Sequence, residues 1–123
     1  MSKLLHILGF IGIAAGLFAF IAPMTFFELL AEYTGQANTH LIRDVGAAYL
    51  SAGAALSWAA FKPVWRGPLV SIAALFLLLH AVGHVIDLVS GHVHLGHIVI
   101  DTVQVFIPAL VSGGLAVYFL RQT

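Results

Sequence analysis

"LVSIAALFLLLHAVGHVIDLV", residues 69–89, is almost unbroken apolar sequence, and the few polar groups in it include His80, His84 and Asp87. Wound as an α-helix rising 1.5 Å per residue, a run of this length crosses the ~30 Å hydrocarbon core of a bilayer. Three more runs share its character, which predicts transmembrane helices at about 4–22, 40–61, 69–90 and 97–120. The composition agrees. Hydrophobic residues make up 61% of the 123 positions and charged residues 8%, against about 25% charged in a soluble domain. The expected fold is all-α: one domain, 1–123, forming an integral membrane four-helix bundle.

Lys3 ahead of the first apolar run raises the possibility of a signal peptide, but the run is long for one and lacks an A-x-A end, so it reads as a membrane helix. Pro23 can stop that helix. The following "TFFELLAEY" is amphipathic, with Glu28 and Glu32 on one face, and is expected to form a short outer interfacial segment between helices 1 and 2. Thr39 is then the expected cap of the second helix. Lys3, Lys62, Arg66 and Arg121 lie at the start, in the turn "FKPVWRGP" and at the end. By the positive-inside rule both termini and that turn face the cytoplasm, in what reads as a bacterial inner membrane.

The net charge is zero, and the few basic residues leave no footprint for nucleic acid. There is no cysteine, so thiolate ligands, iron–sulfur clusters and disulfides are excluded. Gly9, Gly12 and Gly16 in the first helix, Ala47, Ser51 and Ala55 in the second, and Gly113 with Gly114 in the fourth are small residues suited to close helix packing.

Residues spaced by three, four or seven share a helix face, and three helices carry one polar face each. These faces hold His40, Asp44 and Ser51; His80, His84 and Asp87; and His97, Asp101 and Gln104. Counting along the helices places Asp44, His84 and Asp101 at one depth, roughly 6–9 Å below the outer face. An ionised residue at mid-membrane costs ~2.5–3.5 kcal/mol even on the mildest scale, so such groups mark function and face the bundle interior.

Imidazole and carboxylate are donors for iron, zinc, copper or manganese, and H-x-x-x-H or H-x-x-x-D sets two of them on one helical face. The metal ligands expected for one or two ions are His84, Asp44, Asp101, His80, His40, His97 and Asp87, supported by Arg43, Gln104 and Ser51. Arg43 is expected to pair with Asp87 or Asp101. Two alternatives stand beside metal: a metal-free Asp–His network that fixes helix register, and haem held by a histidine pair. His92 and His94 read as loop residues and His6 as interfacial.

A first helix ending in Ala22-Pro23, then "IRDVGAAYLSAGAAL", a short basic turn and a third helix ending in "IDLVSG" together resemble the DoxX-like group of small four-helix bacterial membrane proteins. That resemblance implies association with membrane redox complexes and quinone-linked sulfur oxidation. The residues themselves point to a membrane protein holding transition metal near the outer face, an oxidoreductase or hydrolase acting on a lipid-soluble substrate. A metal-ion or proton transporter and an accessory subunit of a larger complex are the other expectations, with the lipid bilayer and a homo-oligomer or larger membrane complex as partners.

Overall fold

A computed structural model describes residues 1–30, 37–91 and 98–122, and the described residues are helical with no strand. The helices are α1 (Ser2–Ile21), α2 (Pro23–Leu30), α3 (Thr39–Phe61), α4 (Arg66–Val89) and α5 (Ile98–Leu120). Among the described residues, α1, the stretch Pro63–Val89 containing α4, and α5 are long and apolar enough to cross a membrane. Among the described residues the protein is all-helical, and its apolar helices have the length and composition of membrane spans. α3 is as long as its neighbours at 23 residues, but it carries His40, Arg43 and Asp44 near its start and much glycine, alanine and serine after them.

Prolines set the breaks. A residue before proline is pushed out of the α region, and this happens at Ala22 (φ −125°, ψ 62°) and at Lys62 (φ −120°, ψ 90°). Pro23 and Pro63 then open the next helical turns, where a missing N–H is harmless. α3 starts one residue from the expected cap. Asn38, not Thr39, receives the His40 and Leu41 N–H groups on its side-chain oxygen, at 3.0 and 3.3 Å. α4 ends at Gly91, whose φ of 73° is the left-handed position that suits glycine.

The third break takes another form. Pro108 lies inside α5, where it cannot donate to Gln104 and its ring would strike that carbonyl. Ile107 nevertheless keeps helical angles, and the strain is taken up as a π-helical turn, Thr102–Phe106, in which the Ile107 N–H reaches back to Thr102 O. The sequence predicts one helix over about 97–120; the structure interrupts its regular winding at the π turn, and Pro108 is the reason.

α1 and α3 run antiparallel in backbone contact. A Cβ added at Gly16 would come within 2.6 Å of Leu50 N and 2.7 Å of Gly46 O, and one at Gly53 within 2.5 Å of Ile13 N. Glycines thus set this interface, as the small residues of helix 1 suggested. On α3, however, the contact face is Gly46, Leu50, Gly53 and Ser57, while Ala47 and Ser51 are exposed. Close packing selects the face that has no Cβ at its centre. Gly113 and Gly114 differ from expectation too: a Cβ at Gly113 would meet only Leu78, at an ordinary 3.5 Å, and one at Gly114 would meet nothing.

The end of the molecule carrying the termini is fastened by polar contacts to helix carbonyls. Ser2 Oγ donates to Ala60 O at 3.0 Å, Arg66 Nε donates to Ala59 O at 3.1 Å, and the Arg66 guanidinium lies over Phe119. Leu5, Leu56, Val70 and Phe119, with several alanines, make the core there.

Candidate functional site

At the opposite end α4 and α5 bring two ionisable side chains together. His84 Nδ1 lies 3.1 Å from Asp101 Oδ2, with side-chain exposures of 14% and 11%. One turn back on α4 the His80 ring packs edge-on against His84, with centroids 4.7 Å apart. Tyr49 of α3 meets His80 edge-on at 5.4 Å, and Phe76 stacks on it at 5.9 Å. Three helices therefore contribute to one group, in which Asp101 is buried and His84, His80 and the two aromatic rings are half-buried.

The local sequence accounts for this arrangement. Phe76, His80 and His84 are four apart and share a face of α4. Asp101 is the last residue before the π turn, so Pro108 adjusts the phase of the segment that carries it relative to the rest of α5. The floor is apolar: Leu77, Ala81, Val105 and Ala109 form a buried cluster, with Tyr49, Phe76 and Phe106 packed against it. Further along, the Ser112 hydroxyl is buried and donates to Pro108 O and Ala109 O.

This geometry has a definite chemical capacity. A carboxylate beside Nδ1 orients the His84 ring and pairs with it when the imidazole is protonated. His80 supplies a second imidazole beside it. Residues 1–116, which include every group of this site and Pro108, match the family described as a domain of unknown function, DUF4345. The chain belongs to the DUF4345 family. No curated protein and no solved structure matches it.

Not all of the expected ligands join the DUF4345 site. His40 Nε2 and Asp44 Oδ2 form their own pair within α3 at 3.5 Å, with side chains 83% and 61% exposed. Asp87 is half-buried one turn beyond His84 on α4. Arg43 pairs with neither Asp87 nor Asp101; its Nε donates to Phe20 O at the end of α1, at 3.3 Å. Ser51 donates to Ala47 O within its own helix, and Gln104 is exposed on the π turn. His97, His92, His94 and Glu32 lie outside the described residues, while Glu28 is exposed. Among the described residues no group of three or more histidine, aspartate or glutamate side chains is gathered closely enough to hold a metal ion.

Tyr49, Phe76 and Pro108 are the site residues that the polar pattern did not reveal. Phe76 was within reach of the same reasoning, because it continues the four-residue spacing of the histidines. A proline inside an otherwise helical run is also a readable signal of a local change in winding. Nothing in the sequence singles out Tyr49.

Proposed function

We propose that this DUF4345 protein is a four-helix integral membrane protein that holds a transition-metal ion at His84 and His80, with Asp101 orienting His84. In this reading α3 is the fourth spanning helix, the termini lie on the cytoplasmic side, and the site opens in the outer half of the bilayer. The observation that carries it is the buried 3.1 Å contact of His84 Nδ1 with Asp101, beside a second imidazole. A carboxylate behind the far nitrogen of a histidine is the usual support of a metal-bound imidazole. A bound ion with an open position would supply Lewis-acid or redox chemistry toward a lipid-soluble substrate.

The experiment is elemental analysis of protein purified in detergent without a histidine tag, after reconstitution with iron, zinc, copper and manganese in turn. One ion per chain, lost in His84→Ala and reduced in Asp101→Asn, supports the reading. Folded wild-type protein that retains no ion under any of these conditions overturns it. A second reading is favoured by the lack of a three-donor group among the described residues: Asp101 and His84 act without metal, fastening α4 to α5. It predicts the metal-free outcome together with loss of thermal stability in Asp101→Ala. Reporters fused to each terminus test the orientation separately.

A further inference from the structure

We infer that residues 98–106 are a hinged arm of α5, which swings away from α4 at the π turn and is caught in its closed position by the contact of Asp101 with His84. The inference uses the fold alone and stands whether or not an ion is bound at the histidines.

The π turn supplies the hinge. Thr102–Phe106 interrupts the regular hydrogen-bond ladder just before Pro108, whose missing N–H and bulky ring already weaken the helix there. Sharp bends in helices occur at such places, and single π turns are frequent at functional sites. α5 is thus divided into an arm, 98–106, and a stem, Ile107–Leu120.

The two pieces are held unequally. The stem buries Ala109, Leu115, Ala116 and Phe119. The arm buries one apolar side chain, Val105, and one carboxylate, Asp101, while Val99 and Val103 are 72% and 61% exposed. Few buried apolar contacts mark the parts of a fold that open at least cost. Backbone interlock is missing as well. A Cβ at Gly83, next to His84 on α4, would meet nothing within 4 Å, and one at Gly113 would meet only the Leu78 side chain. Between α1 and α3, by contrast, an added Cβ at Gly53 would strike backbone at 2.5 Å, which leaves no room for such movement.

The contact of Asp101 with His84 supplies the catch. Lipid chains replace the apolar contacts of a helix in a bilayer, so burial of Val105 contributes little to closing the arm. A polar contact has no such replacement in hydrocarbon. Asp101 on the arm and His84 on α4 make one at 3.1 Å. Opening separates them and uncovers the half-buried rings of His84 and His80, so the arm controls access to this group.

The test is a pair of distances. The chain has no cysteine, so spin labels can be placed on introduced ones without background. Ile21→Cys with Val99→Cys spans from α1 to the arm, and Ile7→Cys with Val117→Cys spans from α1 to the stem; all four positions are exposed. Pulsed dipolar spectroscopy is recorded on full-length protein in phosphatidylcholine liposomes, with circular dichroism confirming that each variant is helical. The expected result for the arm pair is one dominant distance, with a longer-distance population that grows about tenfold in Asp101→Ala and less in Asp101→Asn, which keeps a hydrogen-bonding group of the same shape. The stem pair should stay unchanged throughout. Pro108→Ala added to Asp101→Asn should narrow the arm distribution again, because arm and stem then wind as one helix. An arm distribution unchanged in both Asp101 variants overturns the catch. Equal broadening of the two pairs shows α5 moving as a whole and overturns the hinge, as does an arm that stays broad after Pro108→Ala.

Discussion

Among the described residues two histidine–aspartate pairs form, and they have opposite fates. His40 and Asp44 are one helical turn apart on α3, meet at 3.5 Å and stand largely exposed. His84 and Asp101 are on different helices, meet at 3.1 Å and are nearly buried. The chemistry of the partners is the same; the surroundings differ. An exposed pair gains little from Coulomb attraction and loses side-chain freedom in holding one geometry, so its net contribution is about 0–1 kcal/mol. A buried pair is different because removing one partner leaves the other's polar atom unmatched in apolar surroundings, at a cost of about 1–3 kcal/mol. Only the second pair joins two helices, and it is the one that builds a site.

The largest expected effect breaks the buried pair outright. Asp101→Ala leaves the His84 imidazole without its carboxylate, and unfolding in detergent should show a loss of about 1–3 kcal/mol. The same substitution at the exposed pair, Asp44→Ala, should cost less than about 1 kcal/mol. Equal losses at the two positions would mean that burial does not separate them.

The next substitution asks whether the buried pair depends on the whole bundle or on α4 and α5 alone. Gly53→Val forces a side chain into the backbone of α1, where even a Cβ would lie 2.5 Å from Ile13 N and 2.8 Å from Gly12 C. Overpacking of this kind costs about 1–3 kcal/mol. The α1–α3 contact should loosen, read as faster cross-linking or proteolysis of α1. The vibrational signature of the Asp101 carboxylate should stay unchanged, because that residue contacts α4. A shifted carboxylate band would show that the site is tied to the α1–α3 interface.

Much of this architecture was readable from residue order. Apolar length alone locates the long helices to within a few residues, because the bilayer fixes how long a spanning helix must be. The i, i+4 rule places His80 and His84 on one face, since it depends only on helix geometry. Which faces meet is a different kind of information. His40, Asp44 and Ser51 form as regular a stripe as His80, His84 and Asp87, yet α3 turns Gly46, Gly53 and Ser57 toward α1 and leaves His40, Asp44 and Ser51 exposed. Close backbone approach decided that orientation, and a polarity count does not weigh it. Arg43 shows the same limit. It lies beside Asp44 in sequence, but the carbonyl of Phe20 at the end of α1 is the partner that the antiparallel packing brings to it.

Pro108→Ala sharpens the comparison by acting on the buried pair without touching either member. With an N–H restored, residues 98–120 can wind as regular α-helix, and the π turn that precedes Ile107 loses its cause. Removing a π turn changes the phase of Asp101 relative to Ala109 and Ser112 by about one residue, or roughly 100°. Helix stability recovered at the proline site, up to about 3 kcal/mol, opposes the loss of the His84 contact, so the melting temperature should change little. Site occupancy should fall about tenfold or more. Stability and binding moving together would show instead that the π turn only accommodates the proline and plays no part in aiming Asp101.

His40→Ala carries the smallest expected effect, and it tests the other half of the comparison. With its side chain 83% exposed, His40 offers its partner Asp44 little that water or a lipid headgroup does not also offer. The substitution should move stability by less than about 0.5 kcal/mol and should leave metal content unchanged, since His40 makes no contact with His84 or Asp101 among the described residues. Loss of metal in His40→Ala would mean that the α3 pair and the buried pair are parts of one centre, brought together by a rotation of α3 or by a second copy of the chain. Unchanged metal content, combined with its loss in His84→Ala, assigns the chemistry of this protein to the contact between α4 and α5. The histidine-aspartate spacing on α3 would then be a local feature of a helix end, carrying the same residue types without the burial that gives them a function.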